Sequence, residues 1–195
     1  MNHNIQLKYI CYARKSSEDN KERQIASLPE QLHDLKAVKE KEKLDVIAEL
    51  QESKTAHTPG REIFCRMLKS IENGEANAII VWHPNRLARN PVDAGWIIFL
   101  MDEGKLLEIK TPARSFHNTP TDKFMLGLEF GISKKDSDDK SEVVERGLQN
   151  KCRNGWRPGV APQGYLNDRQ TESGSRKVLP DPERLPFIKK MFELF

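Results

Sequence analysis

The sequence predicts an α/β fold in which a mostly parallel sheet of four to five strands is flanked by helices. Three features of the 195-residue chain indicate this class. Short apolar segments alternate with helical patterns up to residue 110, as is typical of a parallel sheet. Residues 121–154 then form one long helical segment. A cluster of glycines and prolines ends that helix between residues 155 and 164, which predicts a partial second domain after it.

The elements of the first third of the chain follow from apolar runs and helix caps. Residues 9–13 are predicted as a short first strand. Ser27 is predicted as the N-cap of a helix that runs to about Lys43. Residues 46–50 then provide the second strand.

Later elements repeat the same alternation. Residues 62–73 are predicted as a helix that ends at Gly74, and residues 78–82 as a buried third strand. Pro91 begins the next helix, and residues 106–109 supply a fourth strand. After the long helix, residues 185–192 begin another helical segment.

The composition predicts a soluble protein with a modest core, since 37% of the residues are hydrophobic and 31% are charged. The N-terminus lacks the apolar segment of a signal peptide, and no run approaches the roughly 18 apolar residues of a membrane span. We therefore expect a cytoplasmic protein with no membrane partner. The three cysteines are far apart, which favours neither a disulfide framework nor a zinc site. Neither a metal nor a small-molecule cofactor is expected.

The residues best suited to chemistry follow the predicted strands. In an open parallel sheet, reactive side chains collect at the carboxyl ends of the strands, and the first strand leads directly into Arg14 and Ser16. The third strand leads into a turn where Arg86 and Arg89 share a face if the turn is helical. Arg61 opens the helix before that strand.

A serine beside several arginines is suited to attack on a phosphodiester. The hydroxyl is a weak nucleophile until a base or a strong local field activates it. The oxygens of the phosphate need neutralisation during displacement, and arginine provides this as a permanently charged fork. Taken singly, a serine after a strand is usually a helix cap and two nearby arginines are usually solvated. Their combination is a stronger indication of a site that acts on a phosphodiester.

This combination resembles the serine recombinases of the resolvase/invertase superfamily. The family's nucleophile motif, Tyr-x-Arg-x-Ser, corresponds to residues 12–16. Its arginine motifs, Arg-x-x-Phe/Leu and Asp-Arg-Leu-x-Arg, correspond to residues 61–64 and 85–89. The stretch Gly-Trp-x-Pro-Gly-x-Ala-Pro-x-Gly-Tyr at residues 155–165 looks like the large serine recombinase branch. The resemblance covers roughly residues 7–195 and implies a resolvase-like catalytic domain.

The resemblance implies a role for each matched residue. Ser16 would attack the scissile phosphate and become joined to the 5′ phosphate of DNA. Four arginines would bind and stabilise that phosphate: Arg14, Arg61, Arg86 and Arg89. Three further residues would support the site: Tyr12, Gln31 and Asn85. Independently of the resemblance, the basic excess gathers late in the chain, and we expect these residues to contact DNA: Arg146, Lys151, Arg153 and Arg157.

Partners and organisation follow from the same resemblance. The implied substrate is double-stranded DNA, and family members assemble from homodimers into a synaptic tetramer. We expect a catalytic domain at residues 1–120, a long linking and oligomerisation helix at 121–155, and an incomplete recombinase DNA-binding domain at 156–195. The chain is accordingly expected to be a trimmed or degraded form of a longer recombinase.

Two features depart from the family's pattern. Asn85 stands where the family has Asp, so it lacks the negative charge that orients an arginine or handles a proton. Residues 133–141 are polar where the family's long helix has an apolar stripe. This stretch is either a solvated or frayed piece of helix or a change that weakens synapsis.

Alternatives remain at the level of single residues and of function. Ser17 is the rival nucleophile, although the motif spacing selects Ser16. His83 is either an acid or base near the arginines or an ordinary hydrogen-bonding residue. The main hypothesis is a recombinase that integrates, excises or inverts DNA. A catalytically impaired remnant that only binds DNA or other subunits is the second, and a flavodoxin-like binding domain is the third.

Overall fold

The structure, a computed structural model, describes residues 6–15, 28–54, 56, 58–168 and 177–194. The chain divides into two compact units, Met1–Ser137 and Asp138–Phe195. The first unit contains a five-stranded sheet in the order β2-β1-β3-β4-β5. Its strands are β1 (Tyr9–Arg14), β2 (Val46–Glu52), β3 (Ala78–Val81), β4 (Glu108–Lys110) and β5 (Ser115–His117). Strand β5 runs antiparallel to β4 and the other neighbours are parallel, so the predicted α/β class is confirmed.

Helices connect the parallel strands and cover both faces of the sheet. They are α1 (Leu28–Glu42), α2 (Glu62–Glu72), the short α3 (Pro84–Leu87), α4 (Pro91–Asp102) and the long α5 (Pro120–Arg153). The predicted cap Ser27 lies outside the described residues. None of the helices in the described part of the chain combines the length and apolar character needed to cross a membrane.

The two central strands are buried on both faces because their side chains alternate between two cores. Ile10 and Tyr12 of β1 pack in one cluster with residues of α2, α4 and α5, such as Phe64. Tyr9 and Cys11, one residue out of phase, pack in a second cluster with residues of α1. Alternation with a period of two places successive side chains on opposite faces. This explains why residues 9–13 of β1 and all of β3 are apolar.

The polar segment of the long helix, residues 133–141, is neither frayed nor solvated all round, which differs from one of the two expectations. Residues 133–141 continue α5 without a break, and Ser133 and Ser137 are buried. These serines are four residues apart and therefore share one face of the helix. The Ser133 hydroxyl donates to the carbonyl oxygen of Glu129 at 2.8 Å, which satisfies it within the helix.

The second unit contains the end of α5, a hairpin of β6 (Tyr165–Asn167) with β7 (Val178–Pro180), and α6 (Leu185–Glu193). The hairpin was not predicted, since each strand has only three residues. Gly164 precedes the hairpin with a φ of +84°, and a β-carbon there would lie 3.2 Å from Ile188. The positive φ therefore favours glycine, and the close approach of α6 leaves little room for a β-carbon.

Candidate active site

The carboxyl ends of β1 and β3 bring two arginines of the proposed site together. Arg14 is the last residue of β1, and Arg86 lies in α3, which follows β3. Both side chains have 0% exposure. The Arg14 Nε donates to the carbonyl oxygen of Arg86 at 3.1 Å, and its Nη2 donates to that of Asn85 at 3.3 Å. Because β1 and β3 are parallel neighbours, this contact fixes the α3 turn against the end of β1.

Arg61 reaches the same place from the start of α2. Its Nη1 donates to the Tyr12 hydroxyl at 3.0 Å, and its Nη2 donates to a carboxylate oxygen of Asp93 at 2.8 Å and to the carbonyl oxygen of Leu87. The guanidinium carbon lies 4.0 Å from the centre of the Phe64 ring, which provides a cation–π contact. Arg61 is thus held by groups from β1, α3 and α4.

Arg89 does not share a helical face with Arg86, because the turn after β3 is helical only as far as Leu87. Helix α3 ends at Leu87, and Ala88 is extended, with φ −143° and ψ 144°. Asn90 is extended as well, because Pro91 disfavours a helical conformation in the residue before it and begins α4. Arg89 is nevertheless buried, with 6% exposure.

The arginines act on one another electrostatically. Burial, followed by the positive charges of Arg89, Arg86 and Arg61, lowers the pKa of Arg14 to about 10. Burial also raises the pKa of the Tyr12 hydroxyl, which therefore stays protonated at neutral pH. Concentrated positive charge in a buried setting disfavours the charged state of each arginine unless an anion is near. The cluster is suited to bind an anionic group.

A buried acid in this cluster was missed by the sequence analysis. Asp93 lies in the first turn of α4 with 4% exposure, and its Oδ2 accepts from Arg61 and, at 2.7 Å, from the side-chain amide of Asn90. The main-chain N–H of Asp93 donates in return to Asn90 Oδ1 at 2.9 Å. The pattern Asn-Pro-x-Asp predicts that Asn90 caps the helix through the main-chain N–H of Asp93. It does not predict which distant side chain the carboxylate meets.

His83 and Asn85 lie at the start of α3. His83 caps the helix, since its Nδ1 accepts from the main-chain N–H of Asn85 at 3.2 Å. Its Nε2 lies 4.0 Å from a carboxylate oxygen of Glu129 on α5. The side-chain Oδ1 of Asn85 is buried, and no donor among the residues that the structure describes forms a hydrogen bond with it. His83 therefore has a clear structural role in holding the turn that carries Arg86.

This cap is expected to make stability depend on pH. Burial is the main reason that the pKa of His83 is lowered from 6.5; Arg86 and Arg89 lower it further, whereas Glu129 and the bond to Asn85 raise it. A lowered pKa means that the unfolded state binds the proton first as pH falls. The contribution of His83 is therefore complete above pH 6.5 and is lost as pH falls through the folded-state pKa.

The variant His83→Asn keeps a capping side chain but cannot titrate in this range. As pH falls from 7 to 5, the unaltered chain should lose more stability than the variant, by at most about 1 kcal/mol, the usual value of an N-cap. Urea denaturation followed by circular dichroism at each pH measures the difference. Parallel pH profiles for the two proteins would show that the cap does not titrate.

The other predicted site residues have different positions. Ser16 lies outside the described residues, as does Ser17. Gln31 is fully buried on α1 in the first unit. The predicted DNA contacts belong to the second unit, where Arg146 and Arg153 are exposed on α5 seven residues apart. That spacing corresponds to about two turns, so the two side chains share a face. Among the described residues, there is no group of three or more metal-ligating side chains.

A family model and two solved structures match this chain. A family model described as "Resolvase, N terminal domain" matches residues 9–157. The chain is similar to the N-terminal catalytic domain of TP901-1 integrase, with a TM-score of 0.51 and 17% identity over 68% of this chain and 98% of that one. It is also similar to a resolvase family site-specific recombinase from Streptococcus pneumoniae, with a TM-score of 0.47 and 20% identity over 75% and 99%. The structural likeness to the integrase domain supports the fold, and the family match covers most of the sequence: the chain belongs to the resolvase N-terminal domain family of serine recombinases.

Proposed function

We propose that this chain is a site-specific recombinase that cleaves and rejoins DNA through a covalent 5′-phosphoserine at Ser16. Family membership indicates DNA recombination as the general activity. The observation that carries the finer proposal is the cluster of four buried arginines, with 0 to 6% exposure, around the end of β1. Ser16 follows Arg14 by two residues in the sequence, so the nucleophile would lie beside this positive charge.

The chemistry conserves the number of phosphate ester bonds. The Ser16 oxygen forms a bond to phosphorus while the bond from phosphorus to the 3′ oxygen of DNA breaks. The serine proton is lost to a base or to water, and the departing 3′ oxygen gains a proton. Rejoining is the reverse reaction with a 3′ hydroxyl of another strand. Guanidinium groups stabilise the charge on the phosphate oxygens during both steps.

Binding of the scissile phosphate requires the cluster to become accessible. Arg14 and Arg86 have 0% exposure, and Arg14 donates to main-chain carbonyl oxygens. A phosphate offers these donors a charged acceptor, and charge-assisted hydrogen bonds are roughly twice as strong as neutral ones. We propose that the exchange of carbonyl contacts for phosphate contacts accompanies assembly on DNA.

Assembly as homodimers that pair into a synaptic tetramer is part of the proposal. Helix α4 and the first half of α5 have exposed apolar side chains: Trp96, Phe99, Phe124, Leu128 and Ile132. A groove of about 520 Å³ lies between these helices and is lined partly by Gly95, Gly127 and Gly131. Exposed apolar patches on soluble domains mark interaction surfaces. A second copy of the chain would fill the groove with its own apolar side chains.

Phe124→Glu should weaken self-association about tenfold, because it places a charge in the proposed contact. Phe124 is 71% exposed, so the substitution should leave the fold intact. Light scattering over a concentration series measures the effect. Phe187→Glu is the matched control, since Phe187 is 75% exposed in the second unit. An equal effect of both substitutions, or of neither, would count against this surface.

The remaining elements of the proposal concern DNA. Arg146, Lys151, Arg153 and Arg157 would contact the phosphate backbone and contribute salt-dependent affinity. The glycine- and proline-rich stretch after α5 supports assignment to the large serine recombinase branch.

The direct test uses candidate attachment-site DNA with a nick close to the cleavage position. A nick lets the short strand segment leave, so the covalent intermediate accumulates. Denaturing electrophoresis should then show a protein–DNA adduct with a free 3′ hydroxyl on the released strand. The second function, an impaired recombinase that only binds DNA or subunits, is favoured by Asn85. Binding to DNA without any adduct would support that function and contradict the enzyme.

A further inference from the structure

The buried carboxylate of Asp93 carries an inference that rests on the proposed function. Its Oδ2 accepts both from Arg61 Nη2 at 2.8 Å and from Asn90 Nδ2 at 2.7 Å. We propose that Asp93 is a positioning residue, whose negative charge keeps the Arg61 guanidinium in the arginine cluster in the orientation used for strand cleavage. Asp93 acts through Arg61 and does not itself contact DNA.

The electrostatics of the cluster explain why a charge is needed there. Arg61 is 1% exposed, and its positive charge acts on Arg14, as does that of Arg86. Burial of a cation near like charges is unfavourable, and a hydrogen-bonded carboxylate offsets much of that cost. Asp93 is an acidic side chain in an ion pair with Arg61, with 5% side-chain exposure. Without this charge, the guanidinium is expected to leave its present position.

The geometry fixes orientation as well as charge. Tyr12 on β1 accepts from one η nitrogen of Arg61, while Asp93 on α4 accepts from the other. Two acceptors on different elements define the plane of the guanidinium group. Tyr12 and Arg14 lie two residues apart on β1, the strand that leads into Ser16. The contact with Tyr12 therefore fixes the position of Arg61 relative to this strand.

Helix capping alone does not account for these contacts. The bond from the Asp93 main-chain N–H to Asn90 Oδ1 is that of an N-terminal cap of α4, and the Asn90 side-chain amide donates to Asp93 Oδ2 beside it. The bond to Arg61 joins α4 to the start of α2, 32 residues away. A capping residue has no need of this partner.

The substitution Asp93→Asn separates charge from shape. Both donors use the same carboxylate oxygen, so an amide oxygen in that position offers the same acceptor and differs from it mainly in charge. The rate of adduct formation on nicked DNA should fall roughly tenfold or more, while DNA affinity stays unchanged. The control Asp122→Asn alters another first-turn acid, which pairs with Arg114 at 3.3 Å outside the cluster, and should cleave normally.

A double-mutant cycle with Arg61→Gln tests whether Asp93 acts through Arg61. If it does, the double variant should cleave as slowly as Arg61→Gln alone, within about twofold. Losses that multiply in the double variant would overturn the inference, because they would show a role independent of Arg61. The same follows if Asp93→Asn cleaves at the rate of the unaltered chain.

Folding is checked by circular dichroism for each variant. If Asp93→Asn alone fails to fold, the double variant decides, because it contains neither charge. A double variant that folds and cleaves like Arg61→Gln supports the inference, and one that fails to fold overturns it. If the unaltered chain forms no Ser16-dependent adduct, the proposed function fails and the inference falls with it. A normal adduct with an unaffected Asp93→Asn variant overturns the inference alone.

Discussion

Ser16→Ala is expected to abolish covalent attachment of the chain to DNA. The alanine side chain has no oxygen to form the bond to phosphorus, and water has no defined position from which to replace it. Removal of an enzyme's nucleophile commonly costs a thousandfold or more in rate, so the adduct should fall below detection. The measurement is denaturing electrophoresis after incubation with nicked attachment-site DNA.

The neighbouring hydroxyl provides the matched control. Ser17→Ala removes the same group one residue later and should leave most of the adduct, because the Tyr-x-Arg-x-Ser spacing selects Ser16. The opposite result, loss in Ser17→Ala and retention in Ser16→Ala, would assign the nucleophile to Ser17. An adduct in both variants would point to a different nucleophile altogether.

Arg86→Lys is expected to reduce cleavage roughly 100- to 1,000-fold, the range seen when one preorganised transition-state donor is removed. Lysine keeps the positive charge but replaces the planar fork with a single ammonium group. Arg86 is fully buried, and its guanidinium carbon lies 5.7 Å from the centre of the Trp82 ring. The altered geometry should weaken the contacts to the bound phosphate. Single-turnover adduct formation measures the rate.

A surface arginine makes the comparison specific. Arg114 also lies over an aromatic ring, 4.2 Å from the centre of Phe116, and pairs with Asp122. Arg114→Lys makes the same chemical change away from the cluster and should cleave at the normal rate. Equal losses in both variants would mean that the effect of Arg86→Lys comes from general destabilisation.

The convergence of Arg14, Arg61 and Arg86 was predictable because it follows from topology. Parallel strands end at one edge of a sheet, so residues after β1 and β3 must be neighbours once the strands pair. The Arg14 contacts with Asn85 and Arg86 follow from this rule. The position of Arg61 at the start of α2 was likewise predicted, because it directly precedes the helical pattern of residues 62–73.

Other features depend on contacts that a sequence pattern does not contain. The partner of Asp93 lies on another helix, so its role in the cluster appears only in the structure. A shared helical face for Arg86 and Arg89 depended on a helical turn, and the sequence pattern does not show that α3 ends at Leu87. Strand β5 has three residues, too few for a periodic signal, and forms because it pairs with β4.

The most direct measurement is the chemical identification of the residue joined to DNA. Trypsin cleavage after Lys15 and Lys21 isolates residues 16–21, which contain both candidate serines. After nuclease trimming of the adduct, mass spectrometry should find this peptide with a nucleotide phosphate attached, and fragmentation should place the phosphate on Ser16. Attachment at another residue, or an unmodified peptide from a reaction that cleaves DNA, would contradict the account.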